Sequence, residues 1–251
     1  MDLKLEGKVV LITGGTGGIG SQIVADFLRE GSIVACLIRN NNKFKDLKNK
    51  LESENLNTEN LHAFNCDLLD YESINTQVNH VAKKLSKINV LVNCAGFPVE
   101  TPFAFMDKSQ IDAVLDLNIK SPMYLIQAVL KFMYKEKEGS IINISSISAA
   151  KKGRGITVYA AAKSALDTFS RTLAIEVGRK NIRINTIRPG VIDTAMSTSL
   201  MERVGDSVVK STSLNRYGKP EEISKLTLCL ASSNVSSFVT GESINVDGGL
   251  F

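Results

Sequence analysis

The chain of 251 residues contains no tryptophan, two histidines, four cysteines and five prolines, and aromatic residues make up only 6% of it. His62 and His80 stand far apart in sequence, and Cys36, Cys66, Cys94 and Cys229 are scattered without a CxxC pair. No metal-ligand spacing arises from such a set, and reduced thiols in a cytosolic protein are expected. No apolar run approaches the ~20 residues of a membrane-spanning helix. The opening MDLKLEGKVV lacks the basic-then-apolar pattern of a secretory signal and leads into a strand, so a cytoplasmic protein with no membrane partner is expected. The net charge is only +4, and the cations are mixed with Glu and Asp on expected helix surfaces. Together with few aromatics and no binding motif, that leaves nucleic acid unsupported as a partner, and none is expected. No linker, low-complexity tract or solenoid repeat divides the sequence, which is expected to form a single domain over 1–251.

What is present is a regular alternation of short apolar runs and amphipathic segments. KVVLIT (Lys8 to Thr13), IVACLI (Ile33 to Ile38), LHAFN, the segment around Leu91-Val92, the run Ile141, Ile142 and Ile144, NIRINTIR (Asn181 to Arg188), and Ser243 to Val246 read as seven strands. Helical spacing falls between them: SQIVADFLRE, a region from Asp107 to Lys135, the segment from Tyr159 onward, and Glu221 to Ala231. This pattern predicts an α/β fold, a doubly wound Rossmann-type three-layer sandwich around a seven-stranded parallel sheet.

The first strand feeds GGTGGIG, Gly14 to Gly20. Glycines let backbone approach a pyrophosphate, and the following helix start offers free N–H groups and the positive end of its dipole. The second strand ends at Arg39, where an acidic residue would bind the ribose 2′-hydroxyl of NAD and an arginine suits the 2′-phosphate of NADP. The alternative is that Arg39 merely starts a solvent loop. Lys43 is placed to add to the phosphate field, while Lys45, Lys48 and Lys50 read as solvated surface. Asp67 either accepts from an adenine amino group or caps the helix beginning near Tyr71. Asn93 to Gly96 (NCAG) are small enough for backbone to pass along a ligand. Asn118 lies amid apolar neighbours, as a main-chain partner or a holder of water.

The stretch from Gly139 to Lys163 carries the chemistry. A strand ends in Ser145-Ser146, a Gly/Lys-rich loop follows, and a helix then presents Tyr159 and Lys163 on one face. A free phenol titrates near ~10 and is a poor acid or base at neutral pH. A neighbouring ammonium lowers that value. Tyr159 is thus a candidate general acid/base, Lys163 its electrostatic tuner, and Ser146 a hydrogen-bonding group for the substrate oxygen. The irregular stretch 194–215 is a lid candidate. The alanines of the Tyr159 helix suit a subunit contact as well as a core face.

Thr13-Gly14, Gly18, Gly20, Asp67, NCAG, Asn118, Ser146, Tyr159-x-x-x-Lys163 and Pro189-Gly190 occur in the order found in the short-chain dehydrogenases/reductases. The resemblance covers nearly all of the chain and, with the closing GESINVDGG, is strongest to the 3-oxoacyl-[acyl-carrier-protein] reductases. It implies a catalytic set of Asn118, Ser146, Tyr159 and Lys163. In that set Lys163 also bonds the nicotinamide ribose, and Asn118 holds a water in a proton relay. It implies a cofactor set of Gly14, Thr16, Gly18, Ile19, Gly20, Arg39, Asp67, Leu68, Asn93, Cys94, Ala95, Gly96, Pro189, Gly190, Ile192 and Thr194 beside Tyr159 and Lys163. The implied cofactor is NADP (NADPH) in preference to NAD. Cys94 stands where the family carries a second Asn. Gly17 stands where NADP-preferring relatives often have a cation, so Arg39 must supply most of the 2′-phosphate recognition. The substrate implied is a ketone carried by acyl carrier protein, or else a small-molecule sugar, steroid or other secondary alcohol, and a non-catalytic dinucleotide-binding regulator is the further alternative. The resemblance also implies a homotetramer and a carrier landing zone at Lys131, Lys135, Lys137, Arg179 and Lys180 beside the pocket mouth.

Overall fold

A computed structural model of the chain describes residues 2–151, 153–195, 197 and 206–250. Seven parallel strands form one sheet: β1 (Val9–Thr13), β2 (Ile33–Ile38), β3 (Leu61–Asn65), β4 (Val90–Asn93), β5 (Gly139–Ile144), β6 (Ile182–Pro189) and β7 (Ser243–Val246). Their spatial order is β3-β2-β1-β4-β5-β6-β7. The order reverses between β1 and β4, the place where doubly wound sheets open a crevice at their carboxyl edge.

Burial on both faces explains the continuous apolar runs. Val10, Ile12, Val34, Cys36 and Ile38 face one layer, made by α1 (Gly18–Arg29), α2 (Asn41–Ser53) and α8 (Pro220–Ala231). Leu11, Ala35 and Leu37 alternate to the other layer, made by α3 (Tyr71–Leu85), α5 (Ser121–Glu136) and α6 (Thr157–Val177). The helices between these are α4 (Lys108–Leu115) and a short α7 (Asp206–Lys210). The three-layer, seven-stranded expectation is met.

Local chemistry departs from expectation in two places that bear on function. The helix after β3 is capped by Asp70, which accepts from Glu72 N at 3.0 Å, while the Asp67 carboxylate turns to Leu69 N at 3.0 Å. The capping alternative for Asp67 is therefore excluded. The expected single helix from Asp107 to Lys135 is two helices joined by a π-helical segment, Asp116–Lys120. A π turn inserts an extra residue and rotates one side chain inward. Here Asn118 lies in that segment and is fully buried. Part of the lid candidate, residues 196 and 198–205, lies outside the described residues.

Candidate active site

The expected site residues fall along the carboxyl edge of the sheet in spatial order. Asp67 follows β3, Arg39 follows β2, Gly14 follows β1, Asn93 closes β4, Ser146 follows β5 and Pro189 closes β6. Five strand spacings of roughly 4.8 Å make a row of about 24 Å. That length suits an extended dinucleotide with a substrate at one end.

The β1–α1 turn is built from close backbone approaches that side chains would block. Gly14 has φ +68°, and an added Cβ would lie 2.8 Å from Ala95 N. At Gly18 an added Cβ would meet Thr194 Cγ2 at 2.6 Å, and at Gly20 it would collide with the Gly14 carbonyl oxygen. The turn, the segment after β4 and the segment after β6 therefore converge here. Gly17, the residue before α1, supplies no side-chain cap to the helix, so the first N–H groups of α1 remain available to an anion. Thr16 and Ile19 lie half-buried in the turn. Such a cradle fits a pyrophosphate.

Thr13 has a role that its place before Gly14 did not announce. Its buried Oγ1 accepts from both Cys94 N and Ala95 N at 3.1 Å, clamping the end of β4 to the end of β1. Asn93 donates from Nδ2 to Asn143 Oδ1 at 2.7 Å, its register partner across β5, and Asn143 donates in turn to Ser170 Oγ at 2.8 Å. A signal existed in the paired asparagines at two strand ends, but it needs the register to be recognised. Arg39 is exposed at the edge beyond β2, and Asn40 caps α2 by accepting from Asn42 N and Lys43 N. Leu68 packs half-buried on the core. Gly190 sits against Asp247 Cα, which a Cβ would approach to 2.7 Å, and Ile192 is buried and bridged to Gly218.

Around Gly96 three elements meet. An added Cβ there would lie 2.6 Å from Asn118 Oδ1 and 3.2 Å from Lys163 Nζ. Asn118 donates from Nδ2 to the carbonyls of Phe97 (3.0 Å) and Val114 (2.9 Å). Its Oδ1 is buried without a hydrogen-bond partner among the described residues. The main-chain reading of Asn118 holds for its amide, and its oxygen is an open acceptor beside Lys163. Buried acceptors without partners are costly, and such a site suits a bound water or ligand donor.

Lys163 is 3% exposed and donates from Nζ to Ile144 O at 3.0 Å. Burial pushes its ammonium down to about 8, opposed by Cys94 and Asp167. Its Nζ lies 5.7 Å from the Tyr159 ring centroid. The Tyr159 phenol is held above its ordinary value by burial, with the Ser146 hydroxyl pulling it down and Cys94 adding to the rise. The expected lowering by Lys163 does not arise: the lysine turns its ammonium to the Ile144 carbonyl, and desolvation of the phenolate dominates. Ser146 itself closes a turn, its Oγ accepting from Ser148 N at 3.1 Å. Phe97, Val99 and Met106 pack beside Tyr159 against Val114, Val158 and Ala162, giving the site an apolar wall. The proposed carrier cations do not lie there. Lys137 precedes Gly139 and Lys180 precedes Ile182, and these residues are register partners at the amino ends of β5 and β6. Ser146 lies beyond the other end of β5, about 20 Å away by strand rise. Within one chain, that patch occupies the opposite edge of the sheet from Tyr159.

The geometry brings a buried phenol, a buried amine and an open helix N-terminus to one edge of the sheet. A model of the short chain dehydrogenase family matches residues 8–205. The chain is 36% identical to the 3-oxoacyl-[acyl-carrier-protein] reductase of Thermotoga maritima, over 99% of each. It is 35% identical to the acetoacetyl-CoA reductase of a Synechocystis species, over 99% of this chain and 98% of that one. A short-chain dehydrogenase/reductase structure from Mycobacterium ulcerans superposes with a TM-score of 0.91 at 30% identity, over 97% of this chain and 90% of that one. The chain belongs to the short-chain dehydrogenase family and is an NAD(P)-binding oxidoreductase acting on CH–OH and C=O groups.

Proposed function

We propose that this protein is an NADPH-dependent carbonyl reductase whose substrate is a 3-oxoacyl thioester borne by acyl carrier protein. The observation that carries the reading is the convergence at Gly96 of the Asn118 carbonyl oxygen and the Lys163 ammonium, beside Tyr159 and Ser146. NADPH, when bound, would supply the hydride. Gly14, Thr16, Gly18, Ile19 and Gly20 would hold its pyrophosphate at the α1 N-terminus, and Arg39 its 2′-phosphate. Asp67 and Leu68 would hold the adenine. Asn93 to Gly96 and Pro189, Gly190, Ile192 and Thr194 would hold the nicotinamide half.

Ser146 Oγ orients and polarises the substrate carbonyl oxygen. Tyr159 Oη gives that oxygen its proton. Lys163 would bond the ribose and, by its charge, stabilise the phenolate left behind. Asn118 Oδ1 holds a water through which the proton is replaced. The apolar wall of Phe97, Val99 and Met106 excludes bulk water and suits an acyl chain. The exposed Ala161, Ala165 and Ile175 on the outer face of α6 fit close helix packing in a homotetramer.

Turnover of a panel of acyl-carrier-protein thioesters, acetoacetyl-CoA, sugars and steroids with NADPH and NADH tests the reading. The highest kcat/KM is expected for carrier-bound 3-oxoacyl groups with NADPH; preference for a sugar or steroid alcohol overturns the substrate. Arg39→Asp is expected to shift the NADPH-to-NADH efficiency ratio by roughly 10–100-fold, the worth of one charged hydrogen bond. An unmoved ratio removes Arg39 from phosphate recognition.

A further inference from the structure

Helix α6 carries a second buried charge that this chemistry does not use. Asp167 follows Lys163 by four residues, so the two side chains share one face of α6, a turn apart. Both are almost wholly buried, at 2% and 3% exposure. The carboxylate is fastened on one side only. Its Oδ2 accepts from Arg188 Nε at 2.6 Å, while Oδ1 is buried with no hydrogen-bond partner among the described residues. Arg188 also reaches Asn245 Oδ1 in β7 at 3.4 Å.

The strands tie this pair to the lysine. Lys163 Nζ donates to the carbonyl of Ile144, the last residue of β5. Ile144 is the register partner of Ile187 in β6, and Ser145 N donates to the Ile187 carbonyl at 2.8 Å. Arg188 comes next, followed by Pro189-Gly190. The acceptor of the ammonium and the partner of the carboxylate thus hang from adjacent rungs of the sheet.

A carboxylate buried at such a depth, with its arginine partner 17% exposed, is a weak source of stability, since apolar residues would fill the space without desolvating charge. Its presence one turn from Lys163 points to a field rather than a fastening. The titratable groups facing Lys163 are the Cys94 thiol from the end of β4 and Tyr159 and Asp167 from its own helix. Burial pushes the Cys94 thiol up to about 12 and raises the Tyr159 phenol, so both are neutral near pH 7. Asp167 is the acidic group among them, ion-paired through Oδ2 with the Arg188 guanidinium.

We propose that the Asp167–Arg188 pair is a positioning device for Lys163: the Asp167 carboxylate holds the buried lysine in its ammonium form, and Arg188 sets how much of that negative charge reaches it. The proposal rests on the reading that Lys163 assists Tyr159, and its test separates the two. Asp167→Asn keeps the shape and an acceptor for Arg188 while removing the charge. Arg188→Gln removes the opposing cation. Titration of the Lys163 Cε carbon by NMR in the cofactor-free protein is expected to show the lysine ionising about one pH unit lower in Asp167→Asn and higher in Arg188→Gln. The double variant Asp167→Asn/Arg188→Gln leaves neither charge unpaired and is expected to lower the value by a smaller amount. The alkaline limb of the kcat/KM profile should move in the same direction in each variant.

Shifts of opposite sign in the two single variants support the proposal, and shifts of one sign or none overturn it. Should a single variant fail to fold, an unchanged Lys163 titration in the double variant overturns it. A titration that responds to the pair while turnover does not follow keeps the field and refutes the role of Lys163 in the reaction.

Discussion

The two halves of the site are made in different ways. The turn from Gly14 to Gly20 works by the absence of side chains: its function is backbone approach, and adding single carbons at Gly14, Gly18 or Gly20 would close it. The region from Asn118 to Lys163 works by side chains that are polar, buried and only partly satisfied. Asn118 Oδ1 has no partner among the described residues, Lys163 sits in a site that disfavours its charge, and Tyr159 resists ionisation. The first half is a shape held by sterics. The second stores unfavourable electrostatics. Perturbed groups of this kind mark functional sites.

The sharpest way to break that contrast is to change chemistry without changing shape. Tyr159→Phe is expected to lower kcat by about 10²–10⁴-fold, the worth of a general acid, with dinucleotide affinity unchanged by fluorescence titration. Turnover near that of the parent would remove Tyr159 from proton transfer.

A second test reads the stored cost directly. The Lys163 value of about 8 against 10.5 in the unfolded chain means that the unfolded state binds more protons between these pH values. The buried ammonium costs the fold on the order of 3 kcal/mol below pH 8. That cost fades as pH rises and is gone above 10.5. Urea unfolding at pH 7.5 and 10 should therefore show wild type gaining stability relative to Lys163→Met across this window. Parallel profiles would show that the site does not penalise the ammonium.

The steric half is tested by Gly14→Ala, which combines a left-handed φ with a contact to Ala95 N. It is expected to cost about 1–3 kcal/mol, seen as a lower melting temperature and weaker dinucleotide binding together. The smallest effect separates two neighbouring carboxylates. Asp70→Ala should lower stability by about 1 kcal/mol through loss of the α3 cap and leave binding alone. Asp67→Ala should do the reverse, and equal behaviour of the two would erase the distinction drawn from their hydrogen bonds.

The sequence by itself determined the seven strands, the glycine turn and the members of the Ser146–Tyr159–Lys163 group. Period, turn chemistry and helical spacing act within a few residues, so they are readable along the chain. Only the tertiary structure decided the rest. Thr13 and Asn143 became positioning groups because β1, β4 and β5 are neighbours, which no local pattern states. The π turn at Asn118 appears where packing, not propensity, rotates the side chain inward. The cations at Lys137 and Lys180 looked close to the site through the helices that lead to it. Yet a helix that returns along a parallel sheet ends at the opposite edge. The order of ionisation around Tyr159 was also out of reach: spacing places an ammonium near a phenol, but burial and the competing Ile144 carbonyl decide which way each proton leans, and both are properties of the folded interior.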